Sequence, residues 1–183
     1  MRLRAATPSD AAAVVAIYAP YVTGSAITFE LEPPSVEEMA ERIEAVAGRY
    51  PWIVAEDADG HLAGYVYACP FRARAAYRFA VETTVYLRPE AVGRGLGRRL
   101  YAPLLDALER QGFTQAVAAI ALPNEASVAL HERLGFSPSG TYREVGFKLG
   151  RWLDVGLWQR RLASPADPPR EPLPLDAIGA YLE

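Results

Sequence analysis

Apolar residues recur at helical spacing in four segments of the chain, and capping residues mark where these helices begin and end. Thr7-Pro8-Ser9-Asp10 and Ser35-Val36-Glu37-Glu38 are typical helix starts, each with a hydroxyl side chain followed three positions later by a carboxylate. Asn124 is the expected cap of the fourth helix, and Gly112 and Gly135 are the expected stops of the third and fourth. The predicted apolar faces are, in order, Ala11, Val14, Val15 and Tyr18; Met39, Ile43 and Val46; Leu96, Leu100, Leu104, Leu105 and Leu108; and Leu130 and Leu134.

Six other segments are rich in β-branched and aromatic residues, which predicts strands at 52–55, 62–68, 79–87, 113–122, 140–147 and 152–162. Asp57-Ala58-Asp59-Gly60 favours a hairpin turn between the first two strands, whereas residues 25–29 are a loop or a short extended piece. The order of elements predicts an α/β (α+β) fold, in which antiparallel hairpins flank one strand–helix–strand unit with a right-handed crossover.

Composition narrows the classes of protein to which this chain can belong. With 183 residues it can bury roughly 70% of its unfolded surface, so it can fold without a metal or disulfides. The single cysteine, Cys69, excludes a disulfide framework, and the two histidines, His61 and His131, are too few for a Cys/His zinc site. No apolar run approaches the roughly 18 residues of a membrane helix, so we expect a cytoplasmic protein without membrane contact. A net charge of −3 argues against a nucleic-acid partner.

The last twenty residues contain five prolines, at positions 165, 168, 169, 172 and 174. Proline donates no hydrogen bond to a strand ladder, so this segment cannot join a central sheet. We therefore expect one domain over residues 1–163 and a packed or flexible extension over residues 164–183.

A glycine-rich segment, Gly93-Arg94-Gly95-Leu96-Gly97-Arg98-Arg99, follows a predicted strand and opens the third helix. Main-chain N–H groups converge at such a helix start, where the helix dipole also favours an anion. The three arginines add positive charge, so a pyrophosphate is the expected ligand. The segment lacks both the Gly-Lys-Ser/Thr end of a P-loop and the GxGxxG spacing of a dinucleotide fingerprint. A plain glycine turn before a surface helix stays an alternative.

Residues 92–97 resemble the acetyl-CoA loop of the Gcn5-related N-acetyltransferase (GNAT) superfamily, Gln/Arg-x-x-Gly-x-Gly/Ala, and depart from it at the first position, Val92. Leu122-Pro123-Asn124, Ser127, Leu130-His131-Glu132 and Leu134-Gly135-Phe136 resemble the strand end and the helix that follow in that family. The resemblance implies the GNAT fold, a central mixed, mostly antiparallel twisted sheet flanked by helices, with acetyl-CoA as co-substrate and no metal. It also implies the cofactor contacts: the main chain of Val85, Tyr86 and Leu87, the loop residues Gly93, Arg94, Gly95, Leu96, Gly97 and Arg98, and Asn124 and Ser127 beside the pantetheine arm.

Further stretches are similar to the phosphinothricin and methionine sulfoximine N-acetyltransferases of this superfamily. They are Arg49-Tyr50-Pro51-Trp52, Arg74-Ala75-Ala76-Tyr77, Glu82-Thr83-Thr84-Val85-Tyr86, Gly146-Phe147-Lys148 and residues 152–159. The likeness covers residues 2 to about 162. It implies acetyl transfer to the α-amino group of phosphinothricin, methionine sulfoximine, methionine sulfone or an L-amino acid, by direct attack in a ternary complex. A homodimer is expected from the family alone.

Two residues are candidates for proton transfer, because an ammonium ion has no lone pair with which to attack a thioester. Glu82 faces away from Val81 and Thr83 if the strand alternates, and it is either a solvated strand carboxylate or a partly buried base. The resemblance implies that Glu82 is the general base, directly or through a water. His131 leans toward the apolar side of its helix, where a histidine is most simply a core residue. Many relatives have at this point a tyrosine proposed to protonate the CoA thiolate, which implies an acid or a proton relay here.

Substrate recognition is expected in Phe71-Arg72-Ala73-Arg74-Ala75-Ala76-Tyr77. These arginines are either solvated or free to grip a carboxylate or phosphinate bidentately. The resemblance implies a ligand role for Arg72, Arg74 and Tyr77, and it adds Phe29 as a wall of the pocket. Glu30 stands where some phosphinothricin-specific relatives carry a basic residue, which argues against tight specificity for that compound.

The remaining aromatic and thiol groups have simpler interpretations. Trp152, Trp158 and Tyr101 are expected to be core or dimer-contact residues, and Cys69 is expected to be inert. Two other functions compete with a small-molecule acetyltransferase. One is a non-catalytic CoA-sensing module, against which Glu82 and His131 argue. The other is acetylation of protein N-termini or lysines, which an open groove lined by acidic residues would support.

Overall fold

The computed structural model describes residues 1–182, and a seven-stranded sheet in the order β1-β2-β3-β4-β5-β7-β6 forms its centre. The strands are β1 (Arg2–Ala5), β2 (Trp52–Glu56), β3 (Leu62–Pro70), β4 (Ala80–Leu87), β5 (Gln115–Leu122), β6 (Ser137–Lys148) and β7 (Arg151–Arg161). All neighbouring strands are antiparallel except β4 and β5, which are parallel. The expected mixed, mostly antiparallel sheet is confirmed.

Four α-helices cover the sheet: α1 (Ala11–Gly24), α2 (Val36–Val46), α3 (Leu96–Gln111) and α4 (Glu125–Arg133). The capping box predicted at the start of α2 is present, because the Ser35 hydroxyl accepts from the Glu38 N–H and the Glu38 carboxylate accepts from the Ser35 N–H. A 3-10 turn at Pro8–Asp10 precedes α1, so the α-helix itself begins later than the Thr7 signal predicts.

Two apolar layers lie on opposite faces of the sheet because side chains alternate along its strands. Ile53, Val66 and Val81 pack with α3 and α4 on one face. Val54 and Tyr65 pack with α1 and α2 on the other. Residues of β4 with even numbers therefore face the α1 and α2 side.

β1 is a strand that the sequence pattern does not predict. β1 has only four residues and is held by ion pairs of Arg4 with Asp10 and Glu56, which are tertiary contacts without a local pattern. Of the three aromatic residues expected in the core or in a dimer contact, Trp158 and Tyr101 are buried, whereas Trp152 is 62% exposed, so a core role is wrong for Trp152 and a contact role stays a prediction.

The described part of the predicted extension, residues 164–182, packs against the end of α3. The Leu173 N–H donates to the Gln111 carbonyl oxygen at 2.7 Å, and the Gln111 side chain donates back to the Leu173 carbonyl oxygen at 2.9 Å. The Leu175 N–H donates to Gly48, and Arg78 forms an ion pair with Glu171. In the part of the chain that the structure describes, no helix is long and apolar enough to cross a membrane.

Candidate active site

The central feature of the sheet is the place where its two parallel strands separate. β4 and β5 pair only from Ala80 to Glu82 on β4, opposite residues 115–117 on β5. Beyond Glu82, β4 keeps its partner β3 and β5 keeps its partner β7, so a cleft opens between them. The cleft is a cavity of about 50 Å³ lined by Ile27, Thr83, Thr84, Val85, Tyr86, Ala118, Ala119, Ile120, Asn124, Ser127 and His131.

Glu82 lies at the last paired position before this opening. Its neighbours Val81 and Thr83 are buried toward α3, so its half-buried carboxylate faces the opposite side of the sheet, beside its cross-strand partner Cys69. Burial raises the pKa of the Glu82 carboxyl group above its ordinary value, and the positive charge of Arg72 offsets part of that rise. Glu82 does not itself line the cavity but directly precedes the lining residue Thr83, and a carboxylate of raised pKa at this position has the properties of a general base.

The thiol next to Glu82 is a poor nucleophile. Burial, with a smaller contribution from the charge of Glu82, raises the pKa of Cys69 to about 11. Little thiolate is then present near neutral pH, so acyl-cysteine chemistry is not favoured at this position.

The glycine-rich segment forms the N-terminal end of α3, as its sequence predicts. Gly93 and Gly95 have φ of 77° and 80°, a left-handed conformation that glycine adopts without steric cost. Gly97 packs against α4, since a Cβ there would lie 2.9 Å from a methyl carbon of Leu130. The loop around Arg94 is exposed, and the first-turn N–H groups of the helix have no intrahelical partner. The segment thus offers amides and positive charge to an anion.

Asn124 joins the end of β5 to the start of α4. Its side-chain oxygen accepts from the Ser127 N–H at 3.1 Å, which caps the helix as predicted. This cap occupies the carbonyl end of the amide and does not involve its NH₂ group, and Asn124 is among the residues that line the cleft.

His131 is 3% exposed, and both of its ring nitrogens have partners. Nδ1 lies 2.8 Å from the Ser127 carbonyl oxygen, so Nδ1 carries the proton that is donated there. Nε2 then accepts from the Tyr101 hydroxyl at 2.8 Å. Burial lowers the pKa of His131, which favours the neutral ring.

Tyr101 contributes to the site in a way that its sequence pattern does not predict. It was expected to be a core or contact aromatic, and it is fully buried in α3, but its hydroxyl oxygen also lies 3.2 Å from the Thr83 hydroxyl on β4. Tyr101 therefore links α3, α4 and the cleft strand. Ile27 and Thr84 were missed as lining residues too, although the period of two along β4 places Thr84 on the same face as Glu82.

The residues expected to recognise substrate lie on exposed segments around the cleft. The Arg72 guanidinium stacks on the ring of Phe71 and donates to the Tyr142 hydroxyl at 3.1 Å. Phe71 in turn meets Tyr77 edge to face. None of the four expected residues, Phe29, Arg72, Arg74 and Tyr77, is among those that line the small cavity. Arg72 nevertheless lies near enough to Glu82 to lower the pKa of its carboxyl group.

Comparisons with known proteins show the family of this chain. Residues 3–157 match the acetyltransferase (GNAT) domain family. The chain is 46% identical over 178 residues to a phosphinothricin N-acetyltransferase of Streptomyces viridochromogenes, covering 97% of this chain and 96% of that protein. It is 37% identical over 161 residues to an L-methionine sulfoximine/L-methionine sulfone acetyltransferase of Pseudomonas paraeruginosa, covering 87% of this chain and 94% of the relative.

A solved structure is also similar over the whole chain. It is a GNAT superfamily phosphinothricin acetyltransferase from Sinorhizobium meliloti in complex with acetyl-CoA. The TM-score is 0.88 at 40% sequence identity, and the match covers 99% of this chain and 98% of that one. The resemblance noted from the motifs is confirmed: the chain belongs to the GNAT family of acetyltransferases.

Proposed function

We propose that this protein transfers the acetyl group of acetyl-CoA to the α-amino group of a small amino-acid-like substrate. The observation that carries the proposal is the separation of β4 from β5 directly after Glu82, next to the open N-terminal end of α3. The substrates in the names of the relatives, phosphinothricin and methionine sulfoximine or sulfone, support an acceptor of this size. An ordinary L-amino acid has the same reacting group.

The cofactor is proposed to lie across the opening of the sheet. Main-chain amides of residues 93–98 bind the pyrophosphate, and the arginines of that segment add attraction. The edge of β4 that faces the cleft, from Val85 to Leu87, binds the pantetheine and polarises the thioester carbonyl. Asn124 and Ser127 contact the pantetheine arm from the opposite wall.

The chemical step is a direct displacement. The amine nitrogen attacks the thioester carbonyl carbon, the new C–N bond forms, and the C–S bond breaks to release the CoA thiolate. Glu82 accepts the amine proton, directly or through a water, and its raised pKa suits that task.

His131 is proposed to act as a relay or scaffold. Its nitrogens bind Ser127 and Tyr101, so neither nitrogen is left to donate directly to a departing thiolate. The chain of hydrogen bonds from Ser127 through His131 to Tyr101 instead supports the wall of the cleft, and Thr83 lies beside its far end.

We propose that Arg72, Arg74 and Tyr77 bind the carboxylate or phosphinate of the acceptor, with Phe29 as a wall. Purified protein should release CoA thiol with phosphinothricin, methionine sulfoximine or an L-amino acid, and much less with the matching amines that lack the carboxylate. Arg74→Ala should raise KM for carboxylate-bearing acceptors by the equivalent of about 1.5–3 kcal/mol, the range of a charge-assisted hydrogen bond. Acetyl-CoA binding without thiol release from any amine would instead indicate a CoA sensor.

A second candidate is the acetylation of a protein N-terminus or lysine, and one observation favours it. An open groove of about 630 Å³ lies between α4 and β7, and Glu125, Glu132, Glu144 and Asp154 are among its lining residues. Acidic walls attract a basic peptide. The groove shares only Asn124 with the cleft lining, which favours the small-molecule function. Acetylation of a basic peptide with higher kcat/KM than any amino acid would reverse this ranking.

We further propose that the protein is a homodimer in the cytoplasm, with residues 1–163 as its acetyltransferase domain and 164–183 as an extension. The far end of the sheet supports a dimer. β6 is the outermost strand, and Tyr142, Val145, Phe147, Leu149 and Trp152 are large exposed apolar residues at the β6–β7 hairpin. The single half-buried Cys69 fits a reducing compartment.

A further inference from the structure

One stretch of β6, Gly146-Phe147-Lys148, has no part in the reaction described above. Lys148 is the single lysine among the 19 basic residues of the chain. A lysine is rarely buried unless a partner holds it, yet Lys148 is only 5% exposed. Its position at the end of β6 therefore calls for a structural reason.

The partner of Lys148 is the loop between α1 and α2. Its Nζ donates to the carbonyl oxygen of Thr28 at 2.7 Å. The Thr28 hydroxyl lies 2.6 Å from the hydroxyl of Tyr18 on α1, and Thr28 itself is buried. The loop is thus held at Thr28 from both β6 and α1.

The next loop residue rests on the same face of the same strand. Gly146 precedes Lys148 by two positions, so both project to one side of β6. The ring of Phe29 occupies the space above Gly146, where a Cβ would lie 2.1 Å from the Phe29 Cε2 atom. Gly146 is therefore glycine because the ring needs the room. Together the two residues hold the consecutive loop residues Thr28 and Phe29.

The same loop reaches the reaction cleft. Ile27, the residue before Thr28, lines the cavity with Thr84 and Tyr86. A displacement of the main chain at Thr28 would shift Ile27, because the two residues are covalently adjacent and Thr28 is the point at which β6 and α1 hold the loop. The position of the loop over the cleft thus depends on β6.

We propose that Gly146 and Lys148 are positioning residues that hold the Ile27–Phe29 segment over the cleft and so determine which acceptor side chains the enzyme takes. The proposal rests on the proposed function, since it concerns the acceptor of that reaction. Neither residue touches the reacting atoms; both act through Ile27 and Phe29.

The test compares Gly146→Ala with a matched control, Gly140→Ala, in the same strand. A Cβ at Gly140 meets no atom within 4 Å, so only the first variant displaces Phe29. Gly146→Ala should lower kcat/KM for amino-acid acceptors about tenfold or more and change their order of preference, with KM for acetyl-CoA within about twofold of the parent. Gly140→Ala should match the parent in acceptor kcat/KM, in the order of acceptor preference and in KM for acetyl-CoA.

A double variant separates positioning from general damage. In a Phe29→Ala background the ring is absent, so adding Gly146→Ala should change acceptor kcat/KM by no more than about twofold. An undiminished tenfold loss in that background would overturn the proposal. Lys148→Met removes the hydrogen-bond donor to Thr28 and keeps a side chain of similar length. It should therefore raise KM for the acceptor, as Gly146→Ala lowers acceptor kcat/KM in the parent background.

Hydrogen–deuterium exchange of the peptide covering residues 25–34 measures how firmly the loop between α1 and α2 is held, and it needs no substrate. Exchange should be faster in Gly146→Ala and Lys148→Met than in the parent and Gly140→Ala. Equal exchange in all four proteins would overturn the proposal even if acetyl transfer is confirmed. Faster exchange with unchanged acceptor kinetics would overturn its specificity part. A parent enzyme that acetylates no amino acid would refute the proposed function instead, and the exchange result would still decide whether β6 holds the loop.

Discussion

At the scale of single residues, the site depends on the carboxyl group of Glu82, whose surroundings have opposing effects on its pKa. Glu82 is half-buried between strands, which destabilises its charged form, while the guanidinium of Arg72 stabilises that form. Burial dominates, so the pKa of Glu82 is raised. A base must be deprotonated to act, and activity therefore falls as the pH drops through this raised value.

Glu82→Gln should lower kcat by about 10²–10⁴-fold, the usual contribution of general base catalysis, with acetyl-CoA affinity nearly unchanged. The acidic limb of the kcat/KM profile should disappear with the carboxyl group. A more alkaline limb from the ammonium group of the acceptor should stay in parent and variant. The profile is measured by thiol release across pH, and an unchanged acidic limb in Glu82→Gln would remove Glu82 from the base role.

Arg72→Ala should move the acidic limb to higher pH, because it removes the positive charge that lowers the pKa of Glu82. Arg74→Ala is the matched control, since it removes the same side chain two positions along the same exposed loop. Its acidic limb should stay at the parent value even where its KM rises. Equal shifts in the two variants would show that loop charge in general, rather than Arg72, acts on Glu82.

The face of Glu82 could be predicted from the sequence, whereas the partners of His131 could not. Alternation along β4 is a local rule, and it places Glu82 opposite Val81 and Thr83 as observed. The hydroxyl that binds His131 belongs to Tyr101, thirty positions earlier on another helix. Only the packing of α3 against α4 brings the two together, and no periodicity within either helix encodes it.

At the scale of elements, local chemistry predicts the helices well and the strand ends less well. Ser35 and Asn124 cap α2 and α4 because hydroxyl and amide oxygens accept from helix N–H groups within three residues. β6 begins three residues before its prediction, at Ser137, because pairing with β7 extends it through Pro138. Strand pairing of this kind is a long-range contact, so the amino-acid composition of a short segment does not predict where the strand begins.

The C-terminal extension is the element whose energetic role is most open to test. A chain that ends at residue 163 loses the two hydrogen bonds between Leu173 and Gln111 and the one from Leu175 to Gly48, at about 0.5–1.5 kcal/mol each. It also loses the exposed hydrogen bonds that Arg110 donates to the carbonyl oxygens of Ile178 and Ala180, and those of Arg78 with Glu171. It also loses the packing of Tyr181 and Leu182 on the core. The melting temperature, measured by calorimetry, should fall by several degrees.

Glu171→Gln is the control for this truncation. It removes only the ion pair with Arg78, and Glu171 is 64% exposed, so water screens the interaction and the melting temperature should change little. A truncated chain that melts with the parent would show that the extension rests on the domain without stabilising it.

At the scale of the whole molecule, the two edge strands of the sheet differ in length and in the exposure of their side chains. β1 is a short edge strand held by two ion pairs of Arg4, whereas β6 is a twelve-residue edge strand with largely exposed side chains. The layered architecture follows from the alternating apolar pattern, which the sequence displays. The pattern of one chain predicts that the β6–β7 end is an exposed apolar surface, but it carries no information about contacts between molecules.

A second copy of the chain is the proposed partner, and the exposed ring of Trp152, stacked edge to face on Phe147, is the natural anchor of such a contact. Trp152→Glu should shift the molar mass measured by light scattering from about two chains toward one, because a charge in an apolar contact is costly to bury. Val36→Glu is the control, since Val36 is an exposed apolar residue on α2, outside the hairpin, and its mass should match the parent. A parent protein with the mass of one chain at micromolar concentration would refute the dimer, and a dimer that survives Trp152→Glu would place the contact on another face.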